Sequence, residues 1–245
     1  MLRHWAGLGG ILAAIGGLFS ALPAAAEPKF TPPPGCTLQT TVQMHACQVA
    51  NYYTCAGDAP GDQWVSIADG EGEFFVSRTD AETRWLESVS LKDGTVEKLD
   101  AAGSADNAAF STLLATGRDD YDFITRTSTG RVQRFKGFDQ LTGESTSIDG
   151  VPLERCIFEM EIEDEAGNTV ATRKGMQVIS RQMRVFFAQT ETYENGFGDR
   201  VTTAEGPVTF AFPGDADFAA ATPQYDCDMM MTDLSLDHPS KEALR

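Results

Sequence analysis

The 245-residue chain is short of the side chains that most enzyme chemistry needs. It has three histidines, and one of them, His4, lies in the basic start just before the first apolar segment. No G-x-S-x-G, H-E-x-x-H or S-x-x-K motif occurs, nor any phosphate-binding glycine loop. Positive charge is scarce: 19 Lys and Arg stand against 36 Asp and Glu, a formal net charge of −17. Such a surface repels nucleic acid and anionic lipid, so no nucleic-acid partner is expected. The five cysteines show no CxxC, CxxCH or zinc-type spacing. No cofactor, metal site or catalytic residue is expected. His45 beside Met44 reads as an ordinary histidine, and Asp119, Asp120 and Asp122 as a solvated turn without calcium-loop register.

What is present begins with residues 1–26. Arg3 and His4 precede an apolar stretch from Trp5 to Leu22, and Ala24-Ala25-Ala26 follows Pro23. A basic start, an apolar core and small residues at a cleavage site describe a secretory signal peptide. The expected location is periplasmic or secreted, with no integral membrane insertion after cleavage. Removing residues 1–26 takes away Arg3 and no acid, leaving 18 basic against 36 acidic residues.

Residues 27–35, with Pro28, Pro32, Pro33 and Pro34, read as an extended linker. Residues 36–228 read as one domain, and 229–245 as a polar tail in which Met229–Met231 form a short apolar segment. Val42, Ala46, Val49, Ala50 and Tyr53 fall at helical spacing, which predicts a helix over Leu38–Tyr53. A second helix is expected over Asp106–Thr116, with Asp106 as N-cap and Gly117 as its end.

The remainder alternates with period two. The clearest run places Cys156, Phe158, Met160 and Ile162 on one face and Glu159, Glu161 and Glu163 on the other. Glutamates opposite apolar residues are the solvent face of a strand rather than a catalytic pair. Val178–Thr192 reads as one long β-rich run. Turn pairs recur at Asp69-Gly70, Asp93-Gly94, Thr129-Gly130, Thr142-Gly143, Asp149-Gly150, Gly167-Asn168 and Asn195-Gly196. Hairpins in series predict a mainly β fold: one antiparallel meander of about nine strands, strongly curved or barrel-like, with one or two short covering helices. A two-sheet sandwich is the alternative. This order of elements resembles that of periplasmic lipid and lipoprotein carriers, which implies an apolar cargo but assigns no residue.

Export places Cys36, Cys47, Cys55, Cys156 and Cys227 in an oxidising compartment. Cys156 shares a face with Phe158 and Met160, so it is the expected free thiol. On the expected helix Cys47 and Cys55 would stand about 12 Å apart, beyond the roughly 7 Å a disulfide spans. Cys227 is then the expected partner of Cys36, Cys47 or Cys55.

The functional expectation is a non-enzymatic binding or carrier protein for an apolar ligand or a lipidated partner. Its cavity is expected at Leu113, Leu114, Phe158, Met160, Phe187 and Phe210, beneath the Asp106–Thr116 helix acting as a lid. The alternatives are an interaction module that binds an envelope protein, and a carboxylate-dependent hydrolase. Intact mass of protein from the native host is expected to show a mature chain starting at Glu27. A chain that retains Met1–Ala26 would contradict the leader.

Overall fold

A computed structural model of the protein describes residues 28–228, so the leader and the polar tail lie outside the described residues. The described chain forms one antiparallel sheet of thirteen strands. In order these are β1 (Cys36–Met44), β2 (Gln48–Cys55), β3 (Gln63–Asp69), β4 (Gly72–Thr79), β5 (Trp85–Ser90), β6 (Val96–Leu99) and β7 (Arg118–Thr127). There follow β8 (Val132–Ile148), β9 (Val151–Glu163), β10 (Thr169–Ser180), β11 (Val185–Asn195), β12 (Arg200–Thr203) and β13 (Pro207–Ala211). One helix, α1 (Phe110–Thr116), precedes β7.

Each strand pairs with its neighbour in sequence from β1 to β12; only β13 breaks the meander, pairing with β1 at the far edge. The three residues Ala204–Gly206 therefore carry the chain from one edge of the sheet to the other. At most about 3.6 Å per residue is available to them, so the sheet must curl until its two ends nearly meet. It remains open, because β12 and β13 do not pair.

The curl is built into β8–β11. Gly137 and Gly175 occupy inward-facing positions, where a Cβ would run into the carbonyl oxygens of Glu159 and Thr190. Glycine in a strand interior permits this close backbone approach. Register shifts between Leu141/Ser145 and between Met176/Gln177 add bends in the same strands.

The roll is closed by packing. Val42, Met44, Ala50 and Phe210, from β1, β2 and β13, meet Leu153, Val178, Val185 and Phe187, from β9–β11. The Phe187 and Phe210 rings contact edge to face at 5.4 Å. Val178 and Phe187 are cross-strand partners on one face, whereas Ile179 and Phe186 are partners on the other. β9–β11 thus bury apolar side chains on both faces. Outside β1–β3 lie the terminal segments. Lys29 bridges Ala220, and buried Thr41, Gln43 and Asn51 bind the backbone of residues 219–224. The Pro-rich segment, expected as a bare linker, is pinned at Pro28–Phe30 by this pairing.

Several expectations are corrected. The segment Leu38–Tyr53 is a hairpin, not a helix. Its residues are rich in Thr, Val and Tyr, which favour strands, and Val42 and Ala50 share a face because they are direct cross-strand partners. The turn lacks glycine; Ala46 and Cys47 themselves take left-handed φ angles of 59° and 55°. The Thr142-Gly143 pair is a bulge within β8 rather than a turn. The run Val178–Thr192 is two strands, split by a glycine-free turn in which Arg184 has a φ of 53°. With β1 and β2 expected as a helix, β8 and β12 not anticipated and Val178–Thr192 expected as one run, about nine strands become thirteen. α1 starts at Phe110 rather than Asp106, because Asp106 exchanges both backbone hydrogen bonds with Asp122. Gly117 ends it in left-handed geometry as expected.

Two disulfides form. Cys36–Cys55 staples the open end of the β1–β2 hairpin, and Cys47–Cys227 ties its turn to the C-terminal segment. Cys156 is the free, buried cysteine. Their sequence separations are 19 and 180. Loop-closure entropy then suggests roughly 3 and 5 kcal/mol respectively. Urea unfolding is expected to show a larger loss for Cys47→Ser/Cys227→Ser than for Cys36→Ser/Cys55→Ser; the reverse order would contradict this entropic origin.

Candidate functional site

The inward alternation of the curled sheet lines an open interior cleft of two chambers. The smaller, about 240 Å³, lies among β5–β11. The larger, about 460 Å³, lies between β2–β4 and the start of β11. Thr83, Trp85, Arg173, Phe186 and Ala188 line both, so the chambers are continuous. Together they fall within the size range of small-molecule sites.

The wall of the larger chamber is mainly apolar. Tyr52, Val65, Ile67, Phe75 and Phe187 line it. The first four of these are only half-buried although their strands point them inward. Burial holds the Tyr52 phenol far above its ordinary range, so it stays protonated.

The smaller chamber is an aromatic box with polar groups set into it. Trp85 is 42% exposed, yet its ring packs edge to face on Phe123 at 5.9 Å and on Phe135 at 6.0 Å. Tyr121, Phe158 and Met160 complete the wall. The polar groups lining it include inward residues of three strands: Asp139 on β8, Arg173 and Gln177 on β10, and Glu191 on β11. Arg173 makes a two-pronged contact with Glu191, both bonds 2.7 Å. Asp139 accepts a hydrogen bond from the Gln177 amide. Burial raises its carboxyl from the ordinary 3.8 to about 7; the Gln177 bond opposes this and the neighbouring charge of Asp119 adds to it. Asp119, directly opposite Asp139 across β7–β8, is likewise raised, first by burial, while its bond from the Ala109 N–H opposes. Cys156 is pushed up to about 12, mainly by burial and then by Asp139. It is an inert thiol rather than a nucleophile.

Of the six expected cavity residues, Phe158 and Met160 line the smaller chamber and Phe187 the larger. Phe210 is buried against Phe187 in the contact that closes the roll. Leu113 is fully buried with Phe110, Cys156 and Ile179, and Leu114 packs on that cluster. α1 is therefore a plug over one end of the sheet, not a lid over the cleft, because its apolar face finds a complete partner. Phe212, just past β13, is 39% exposed.

Sequence reasoning missed Trp85, Asn107, Asp139, Arg173, Gln177 and Glu191. A signal existed for two of them. Asp139 continues the inward phase of Phe135 and Gly137, and Gln177 that of Gly175 and Ile179. A polar residue in the apolar phase of a strand marks an interior polar site.

No family model, curated protein or solved structure matches this chain.

The position of Asp139 has a consequence for stability. Its folded pKa lies above its unfolded value, so the folded state holds the proton more tightly. Stability from this group is full below about pH 4 and is lost as pH rises toward 7. Asp139→Asn keeps an acceptor for Gln177 and removes that loss. Thermal melts are expected to show the variant more stable than the parent at pH 8, by on the order of 2 kcal/mol, with the gap closing toward pH 4. A gap independent of pH would contradict the buried carboxyl.

Proposed function

We propose that the protein is an exported binding or carrier protein that holds an apolar molecule in the two-chambered cleft. One observation carries the reading. Trp85, Val65, Ile67 and Phe75 line the interior of the curled sheet and keep part of their surface bare there. Tyr52, Val65 and Ile67 pack only in part on the closed cluster of Val42, Val178, Phe187 and Phe210 beside them. Apolar surface left bare in a concave, pre-formed space is what a ligand site offers.

The setting supports this use. Two disulfides suit an oxidising compartment. Among the described residues no helix is long and apolar enough to cross a membrane. The acidic surface favours cargo delivered through solution over adhesion to an anionic bilayer.

One patch favours a second reading, docking to an envelope protein. Phe197, at the β11–β12 turn, is 95% exposed, and the cross-strand partners Tyr193 and Val201 are 39% and 57% exposed. Edge strand β12 beside them offers a template for strand addition.

An apolar dye that fluoresces on burial is expected to bind the folded protein saturably. Ile67→Glu, which places a charge in the larger chamber, is expected to weaken dye binding at least tenfold with an unchanged β-sheet circular dichroism spectrum. Undiminished binding by a folded Ile67→Glu protein would overturn the cleft as the site.

A further inference from the structure

We propose that the smaller chamber receives the protonated primary amine of an amphipathic ligand, seated between Asp139 and Trp85, with its apolar chain in the larger chamber. The inference rests on the reading of the cleft as an apolar-ligand site and names the head group that the site selects.

The charges around the chamber lead there. Two arginines line it, and each is already matched. Arg173 is held by Glu191. Arg84 is held by Asp80 at 2.6 Å. Asp139 has no such partner: among the described residues its side-chain hydrogen bond comes from an uncharged amide. Asp119 faces it from β7 and is another carboxylate, bound by the backbone N–H of Ala109. Tyr121 and Cys156, the other titratable neighbours, are both held neutral by burial. Asp139 is thus the one carboxylate lining the chamber that no cation matches, and Asp119 beside it adds a second unmatched negative group rather than a countercharge. A buried carboxylate without a countercharge is costly, and an arriving cation relieves that cost.

A second group points to a head that donates hydrogen bonds. The Asn107 side chain lines the same chamber. Its amide nitrogen donates to the Ala101 carbonyl at 3.2 Å, which leaves its buried Oδ1 without a partner. Both unmet groups are acceptors. A primary ammonium carries three N–H donors and a positive charge. The accessible Trp85 indole adds attraction for a cation. Carboxylate and phosphate heads would meet Asp139 and Glu191, with Asp119 behind Asp139. A hydroxyl head would satisfy Asn107 but leave the charge of Asp139 unmatched. Because burial lifts Asp139 to about 7, amine binding releases a proton from the protonated carboxyl, and uptake weakens as the pH falls below 7.

The test is displacement of a bound apolar dye by four ten-carbon ligands: decylammonium, decyltrimethylammonium, decanol and decanoate, at pH 7.5 in 0.15 M salt. Decylammonium is expected to bind at least tenfold tighter than decanol, with decanoate weakest. Decyltrimethylammonium, which lacks N–H donors, is expected to bind several-fold weaker than decylammonium. Asp139→Asn, its fold checked by circular dichroism, is expected to bring decylammonium down to decanol's level while decanol itself shifts less than twofold. A preference for decylammonium that survives Asp139→Asn would assign it to the acidic surface and overturn the proposal. Equal binding of decylammonium and decanol, or of the two ammonium ligands, would overturn the amine head but leave the apolar cleft intact. Failure of all four to displace the dye would remove the cleft reading, and this inference with it.

Discussion

The contact between the two ends of one sheet is the constraint on which the molecule depends. Thirteen strands laid side by side would form a ribbon with one apolar face in water. Packing β1, β2 and β13 on the β9–β11 layer, with Phe187 against Phe210, turns that ribbon into a vessel. Three further ties hold the same seam. The Glu205 N–H reaches the Gln189 carbonyl, the Asp149 carboxylate takes the Phe210 N–H, and the Gln63 amide binds the carbonyl of Arg184. The seam buries one face of β9–β11 and α1 part of the other, and the remaining inward positions line the cleft.

Covering the outside is a separate task, performed by the chain termini. Thr41, Gln43 and Asn51 are buried polar side chains in the middle of β1 and β2. Each finds partners in the backbone of residues 219–224, which satisfies polar groups that burial would otherwise penalise. The Cys47–Cys227 bridge and the His45–Asp226 contact at 2.7 Å fix this segment to the β1–β2 turn. They also explain how Ala46 and Cys47 tolerate left-handed backbone there: that turn is held from outside rather than by its own sequence.

Inside, the protein treats its two kinds of surface differently. Charged pairs such as Arg173–Glu191 are closed on themselves. Asp139 and Asn107 are not, and they sit among Trp85, Tyr121, Phe123 and Phe158. A closed core would have filled this space with side chains, as Phe110 and Leu113 of α1 do beside it around Cys156 and Ile179.

Strand periodicity and turn chemistry were legible along much of the chain, because half-buried strands impose period two on each segment regardless of its neighbours. β7 and β9 are examples: Tyr121, Phe123, Cys156, Phe158 and Met160 are buried as their alternation requires. So were Gly117 as the end of α1, Cys156 as the free thiol and the long bridge to Cys227. The β1–β2 hairpin was not, because its turn carries no glycine and cross-strand pairing mimics helical spacing. Nor was the plug role of α1, the pairing of Cys47 in particular with Cys227, or the site formed by Trp85, Asn107 and Asp139. Those residues are separated by up to 54 positions in the chain and meet only because the sheet rolls. Local sequence determined which face each strand would bury. Long-range packing decided what that face would meet, since the roll sums contacts that no single segment can specify.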